Sequence, residues 1–440
     1  MYRFIAKLLS FQQTVTQLFL LFTIRHLQLS VIIINYNVKY FLEQCLLSVL
    51  KAMKNIDGEI IVIDNNSSDG SFEFIQNSFP SVTFLWNTTN PGFAKANNQA
   101  LKMAKGEYIL FLNPDTIIAE DCLEKSIGFI RSHNNEVALG IKMVDGSGHF
   151  LKESKRAFPS PITSFYKLSG LSKLFPRSKT FAKYHLGNLS VNKNNEVDVL
   201  AGAFMMIPKK TLEKTGGFDE HFFMYGEDID LSYRIQEAGF KNFYFAESSI
   251  IHFKGESTKK ESVNYVKMFY KAMSIFVKKH YGSKKAGLYS FFLHTAIFLR
   301  GSLSAISKTG KKFLGIKAPD LFINKPAKVV IAASESEFEE AKKILQMAAA
   351  DKLVLGRIET DNILSANTIA SFRDLTNVFT FSDADEIIFC QGQLSFKQII
   401  SAMQKVPDKV AIKIFAKGSH AIIGSDDKNV AGDVILKEKT

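Results

Sequence analysis

"LSVIIINYN", residues 29–37, decides the fold. From Leu29 to Ile34 only Ser30 interrupts the apolar run, so neither face of the segment is left for water. A strand of that kind is buried on both sides, as in a parallel sheet covered by helices. It stops abruptly at Asn35-Tyr36-Asn37. Working outward, "YFLEQCLLSVLKAM" (40–53) reads as a helix, and "EIIVIDNNSSDGS" (59–71) as a strand running into a polar turn. A helix over 71–78, the strand "VTFLWN" (82–87), a helix over 93–104 and the strand "GEYILFLNPDT" (106–116) continue the alternation. This pattern predicts an α/β domain with a mostly parallel sheet flanked by helices. Ligands in such sheets sit beyond the carboxyl ends of the strands. Three of those ends carry polar clusters: Asn35-Tyr36-Asn37, Asp64-Asn65-Asn66 and Asn113-Pro114-Asp115. One cluster makes a turn; three on one sheet edge make a pocket.

From Ala327 the alternation restarts with "AKVVIAAS", "DKLVLGRI", "DEIIFCQGQ" and "VAIKIFAK", which predicts a smaller C-terminal α/β Rossmann-like domain. It has neither a G-x-G-x-x-G loop nor a Walker sequence. "GSHAIIGSDDKN" (418–429) reads as a surface loop.

A length of 440 residues suits two domains, and 46% hydrophobic with 22% charged residues is a globular composition. Cys45, Cys122 and Cys390 are too scattered for a disulfide framework or a zinc pattern, which fits a reducing cytosol. The net charge of +12 is concentrated: Lys254 to Lys317 holds 14 Lys/Arg against Glu256 and Glu261. A second basic stretch runs from Lys152 to Lys183. Charge polarised in this way implies an anionic partner, a membrane surface or nucleic acid. "AGLYSFFLHTAIFL" (286–299) is shorter than the ~20 residues of a membrane span, but its aromatics and flanking lysines suit a helix lying in the interface. With no nucleic-acid-binding signature present, an anionic membrane surface is the expected partner, and nucleic acid is not. Residues 1–26, with "LFLLFTI" (18–24), read either as an amphipathic anchor or as an extension outside the fold.

"YGEDIDLSYRIQEAG" (225–239) crowds Glu227, Asp228 and Asp230 at a helix start. Acidic residues there cap free N–H groups and complement the helix dipole. Leu231, Ile235 and Ala238 mark the apolar face, and Gly239 the stop. Capping and chemistry are both open on this stretch alone.

Taken together, "SVIIINYN", "IVIDNNSSDGS", "NPGFAKANNQAL", "GEYILFLNPDT", "LAGAFMMIPKKTLEKTGGFDEHFFMYGEDIDLSYRIQEAGF" and "IIHFKGEST" resemble the ordered blocks of family 2 glycosyltransferases, bacterial rhamnosyltransferase-like members above all. The resemblance covers roughly residues 28–260. It implies a GT-A type domain, a nucleotide-diphosphate-sugar donor, a divalent cation (Mg or Mn), inversion at the anomeric carbon, and a glycan or lipid-linked acceptor in cell-surface polysaccharide synthesis. Asp115 is then the cation ligand, with His252 ligating the cation or contacting the diphosphate. The family usually sets two aspartates around one residue here, whereas this chain has Asn113-Pro114-Asp115 and Asn113 offers a neutral oxygen. Asp64 and Tyr36 are implied at the nucleotide, Lys95 and Lys254 at the diphosphate, and Asn97 at the nucleotide again. Gly202 is expected to let backbone approach substrate. An inverting transfer needs a carboxylate to take the acceptor's proton. The resemblance puts that task on Glu227-Asp228, with Asp228 as base and Glu227 assisting or binding acceptor. Asp230 is left to capping or to Arg234.

The resulting division is an extension (1–26), a catalytic domain (27–260), a basic helical membrane-surface segment (261–325) and a small α/β domain (326–440). The expected location is cytoplasmic, peripheral on the inner face of the cell membrane. A membrane-associated scaffold of the same fold without turnover is the alternative, supported by Asn113; a basic nucleic-acid-binding protein is the weaker one.

Overall fold

The computed structural model describes residues 27–160, 162–163, 166, 170–253, 263–282, 326–348, 351–425 and 432–437. The extension 1–26, Lys254 and the segment 286–299 lie outside the described residues.

The first sheet contains β1 (Leu29–Asn35), β2 (Gly58–Asp64), β3 (Thr83–Trp86), β4 (Tyr108–Leu112), β5 (Thr116–Ile118), β6 (Val137–Val144), β7 (Asn195–Glu196), β8 (Phe204–Pro208) and β9 (Lys241–His252). Strand β1 is buried along its whole length, and its alternate residues feed two cores. Val31 and Ile33 belong with Phe41, Leu42, Cys45, Leu46 and Val49 of helix Lys39–Ala52. Ile32 and Ile34 belong with Ala94, Ala96 and Ala100 of helix Phe93–Leu101, and with Leu231 and Ile235 of helix Glu227–Glu237. That two-sided burial is why the strand has no polar alternation.

The strand order is β3-β2-β1-β4-β8-β6-β9-β5, with β7 attached to β9. The half β3-β2-β1-β4 is parallel. Beyond it β8 enters antiparallel to β4, and β5 runs antiparallel to β9 at the edge. The order turns at β1, with β2 and β3 on one side and β4 on the other, so the topological switch point lies beyond the ends of β1 and β4.

The second sheet has β10 (Ala327–Ala333), β11 (Lys352–Glu359), β12 (Thr368–Ser371), β13 (Glu386–Gln391), β14 (Ala411–Ala416), β15 (Ala421–Gly424) and β16 (Asp433–Leu436), in the order β12-β11-β10-β13-β14-β15-β16. It is parallel from β12 to β14, and β15 and β16 are antiparallel. The expected loop at 418–429 is therefore in part a buried strand: Ala421, Ile422 and Ile423 are fully enclosed in β15, which runs between β14 and β16. One hydrophobic core runs through both sheets, from Ile117, Ile250 and Phe253 to Phe396, Ile400 and Met403.

Helix Val263–Tyr281 is the described part of the 261–325 segment. Ala272, Met273, Phe276 and Val277 are buried with Val199, Phe222 and Ile229 of the catalytic side. Lys279 and His280 are spent internally: both reach Asp230, at 2.8 Å and 2.7 Å, and Arg234 Nε donates to the same carboxylate at 2.8 Å. Burial alone pushes the Asp230 carboxyl up, but these three partners outweigh it and hold it below its usual range. Among the described residues no helix is long and apolar enough to cross a membrane.

Because Asp230 is fully buried, Asp230→Ala leaves three cationic or imidazole groups without their carboxylate. We expect a loss of about 3 kcal/mol in urea unfolding, and a Glu213→Ala variant (an exposed side chain on helix Lys209–Thr215) to lose much less.

Candidate active site

The end of β1 and the end of β2 are tied together side by side. Asn35 pairs with Asp64 in register, and Asn35 Nδ2 donates to Asp64 Oδ2 at 2.6 Å. The other Asp64 oxygen accepts from the Ser67 N–H at 2.7 Å. Asp64 is fully buried, so a direct contact from it to a nucleotide needs one of these bonds exchanged. In this structure it organises the turn, and Tyr36, 37% exposed, is the residue that faces outward at this strand end. On helix Phe93–Leu101, Lys95 is exposed, while Asn97 is buried and donates to Phe93 O at 2.9 Å.

The end of β4 meets the end of β9. His252 Nε2 lies 3.3 Å from Asp115 Oδ1 and 3.3 Å from Asn113 Nδ2, and the Phe253 N–H donates to Asp115 O at 3.0 Å. Asn113 thus turns its amide nitrogen, not the expected oxygen, toward the pair. Among the described residues no group of three or more His, Cys, Asp or Glu could hold a metal ion. Asp115 and His252 form a two-ligand set of carboxylate and imidazole, which suits Mg²⁺ or Mn²⁺ when substrate phosphates complete the shell.

The acidic helix is delivered by a strained loop. Tyr225 and Gly226 are both left-handed, at φ 68° and 84°, and a Cβ on Gly226 would come within 3.1 Å of the Phe222 ring. Upstream, Phe223 O accepts from the Phe93 N–H at 3.0 Å, which pins this loop to the start of the Lys95 helix. The result places Glu227 and Asp228 at the helix start, beside the Leu200–Gly202 turn. Asp228 Oδ2 accepts from Arg156 Nη2 and from the Gly202 N–H at 3.2 Å, while its Oδ1 takes the Ile229 N–H at 2.8 Å. Arg156 Nη2 also reaches Leu200 O at 3.0 Å. A Cβ on Gly202 would lie 3.5 Å from that of Asp228, an ordinary contact. The Gly202 amide is what holds Asp228 here.

Glu227 is the unusual member. Burial, and then the charge of Asp228, push its carboxyl from the usual 4.5 up to about 8. Its Oε2 has no hydrogen-bond partner among the described residues, and neither does Arg156 Nε.

The acidic helix and the Asp115–His252 pair approach one strand boundary. Asn113 N donates to Ala203 O at 3.1 Å, and the adjacent Gly202 N–H holds Asp228. This links both to the β4–β8 boundary, next to the switch point.

Residues 30–216 match the family described as Glycosyl transferase family 2. The chain carries a family 2 glycosyltransferase domain. Residues 182–271 also match the family described as N-terminal domain of galactosyltransferase. The chain is 27% identical over 294 residues to the N-acetylglucosaminyl-diphospho-decaprenol L-rhamnosyltransferase of Mycobacterium tuberculosis, covering 62% of this chain and 94% of that one. Rhamnosyltransferase WbbL of Escherichia coli is 31% identical over 173 residues, 37% of this chain and 61% of its own. The solved structure of S. aureus TarS 1–349 aligns at 19% identity and a TM-score of 0.38, covering 66% of this chain and 75% of that chain.

Of the residues that the sequence motifs single out, Asp115, Asn113 and His252 lie together, as do Gly202 and Asp228 with Glu227 beside them. Arg156 was missed: it stands in the basic stretch 152–183, where nothing in the neighbouring residues marks it as different from surface lysines.

Folding raises the Glu227 pKa, so between about pH 4.5 and 8 the native chain holds a proton that the unfolded chain releases. Stability therefore falls as pH rises through that window. Glu227→Gln should abolish this slope: unfolding free energies from denaturant titration match the parent at pH 5 and exceed it at pH 8.5 by roughly a few kcal/mol. An unchanged slope in the variant would place the titration elsewhere.

Proposed function

We propose that this chain moves a sugar, with inversion, from a nucleoside-diphosphate donor to a hydroxyl of a glycan or lipid-linked acceptor during cell-surface polysaccharide synthesis. What supports the reading is that two acidic elements lie on one strand boundary: Asp228, fixed by Arg156 and the Gly202 amide, and the Asp115–His252 pair at the end of β4 and β9, joined through Asn113 N and Ala203 O.

Asp228 takes the proton from the acceptor hydroxyl as it attacks; the Arg156 and Gly202 contacts fix its rotamer for that step. Glu227, protonated below about pH 8, offers an O–H donor to a substrate hydroxyl. Tyr36 contacts the nucleotide, with Asp64 shaping the turn beneath it. Lys95, Asn97 and Lys254 are proposed along the donor. Asp115 and His252 hold Mg²⁺ or Mn²⁺, and a cation bound there stabilises the charge that grows on the leaving diphosphate.

Relatives support the acceptor class: the Mycobacterium tuberculosis protein is an N-acetylglucosaminyl-diphospho-decaprenol L-rhamnosyltransferase, and another, from Staphylococcus aureus, is a poly(ribitol-phosphate) beta-N-acetylglucosaminyltransferase. The basic run from Lys254 to Lys317 supports peripheral attachment to the cytoplasmic membrane face. A scaffold without turnover is favoured by one observation, the amide of Asn113 where the family usually has a second carboxylate.

Calorimetric titration with a panel of nucleoside diphosphates, with and without Mn²⁺, separates these readings. Asp115→Ala loses the Mn²⁺-dependent part of binding. Asp228→Asn binds like the parent, and its transfer rate falls about 10²–10⁴-fold. Full turnover in Asp228→Asn refutes the base assignment; a parent without donor binding leaves the scaffold.

A further inference from the structure

The second domain reaches the catalytic sheet at a short edge strand. Strand β5 has three residues and pairs only through Thr116↔His252, Ile117↔Ile251 and Ile118↔Ile250, at the edge of the sheet. Asp115 immediately precedes it, and His252 is its first partner. A three-residue edge strand holds its shape poorly without cover on its flank. Helix Lys39–Ala52 of the same domain packs on β5, with Ser48 Oγ accepting from the Ile118 N–H at 3.1 Å, and helix Phe396–Met403 of the second domain adds cover on β5 and β9, sharing their core through Phe396, Ile399, Ile400 and Met403.

The attachment is specific. Glu120, two residues past β5, caps that helix from outside: its two oxygens accept from the Phe396 N–H at 2.7 Å and the Lys397 N–H at 3.0 Å. A carboxylate at a helix N-terminus satisfies orphan donors and the helix dipole together. Near the other end of the pair, Gly146 lies so close to Ser425 that a Cβ would stand 2.4 Å from its carbonyl oxygen and 3.2 Å from the Phe253 ring. Phe253 follows His252, and its amide is bound to Asp115 O. A third grip holds the helix that follows Tyr36. The buried Gln44 donates to Ala421 O at 2.9 Å and Ile414 O at 3.3 Å, and Glu43 accepts from His420.

We infer that the C-terminal domain is a working part of the site: its docking on β5 and on Phe253 keeps Asp115 and His252 converged. Glu120 and Gly146 are positioning residues for that pair. The inference rests on the reading of Asp115 and His252 as the donor-phosphate and cation end.

The test uses full-length chains carrying Glu120→Ala, Gly146→Ala, Asp115→Ala, and Ile344→Val as a control. Ile344 lies in a separate core under helix Glu335–Met347, so its truncation loosens the second domain without touching the contact. Nucleoside-diphosphate binding is titrated with and without Mn²⁺, and amide hydrogen exchange of residues 116–118 is followed in the metal-free chains. Glu120→Ala and Gly146→Ala should weaken Mn²⁺-dependent binding at least tenfold, leave metal-free binding unchanged and speed exchange in β5. Ile344→Val should do none of these. Glu120→Ala removes only a cap, so it decides the matter if Gly146→Ala does not fold. Parent-like binding and exchange in Glu120→Ala, or equal losses in Ile344→Val, overturn the inference while Asp115→Ala still reports the site. Mn²⁺-dependent binding that survives Asp115→Ala removes the reading of the site, and the inference with it.

Discussion

Two carboxylates placed side by side at a buried helix start cannot both keep their charge with one cation in reach. Desolvation penalises each ion and their mutual repulsion adds to it. The chain resolves this by dividing the pair. Asp228 receives Arg156, the Gly202 amide and the Ile229 amide. Glu227 receives none of these and keeps its proton. Adjacent acids of the same chemistry are thereby made different, one held by an arginine and two amides and the other kept protonated by its burial and its neighbour. The left-handed Tyr225-Gly226 turn and the Phe223–Phe93 bond exist to aim this divided pair.

The rest of the site follows from sheet topology. A strand order that turns at β1 leaves an opening beyond β1 and β4, and backbone there already points outward. The insertion of β8 antiparallel to β4 then carries the Leu200–Gly202 turn to the same rim, so that one boundary serves both acidic elements. Asp230, one turn into the same helix, has a different part. It is sealed among Arg234, Lys279 and His280 and binds helix Val263–Tyr281 to the acidic helix.

Most of the first sheet could be read from residues because two-sided burial writes itself as uninterrupted apolar runs; helix Ser71–Ser78 begins and ends as expected. Strand β12 and helix Leu375–Phe381 were not anticipated. Thr368–Ser371 is half-buried at an edge, so its residues carry no clear period. Strand β15 was mistaken for a loop because Gly418, Ser419 and Ser425 frame it with turn chemistry, while its three apolar residues are too few to outweigh them. In the site, the carboxylates and His252 were visible because each ends a strand or starts a helix. Arg156, and the partners of Asp230 on a helix fifty residues away, were not, since long-range pairing leaves no local trace.

The three cysteines have a use of their own. Cys45 and Cys122 sit in the first sheet's layers and Cys390 in the second sheet, all fully enclosed. Burial lifts the Cys45 thiol to about 12 and raises the other two as well. Since thiolate is the reactive form, the folded chain is silent toward alkylating reagents. Labelling followed by peptide mapping would then time the opening of each half separately, with no probe added to the molecule.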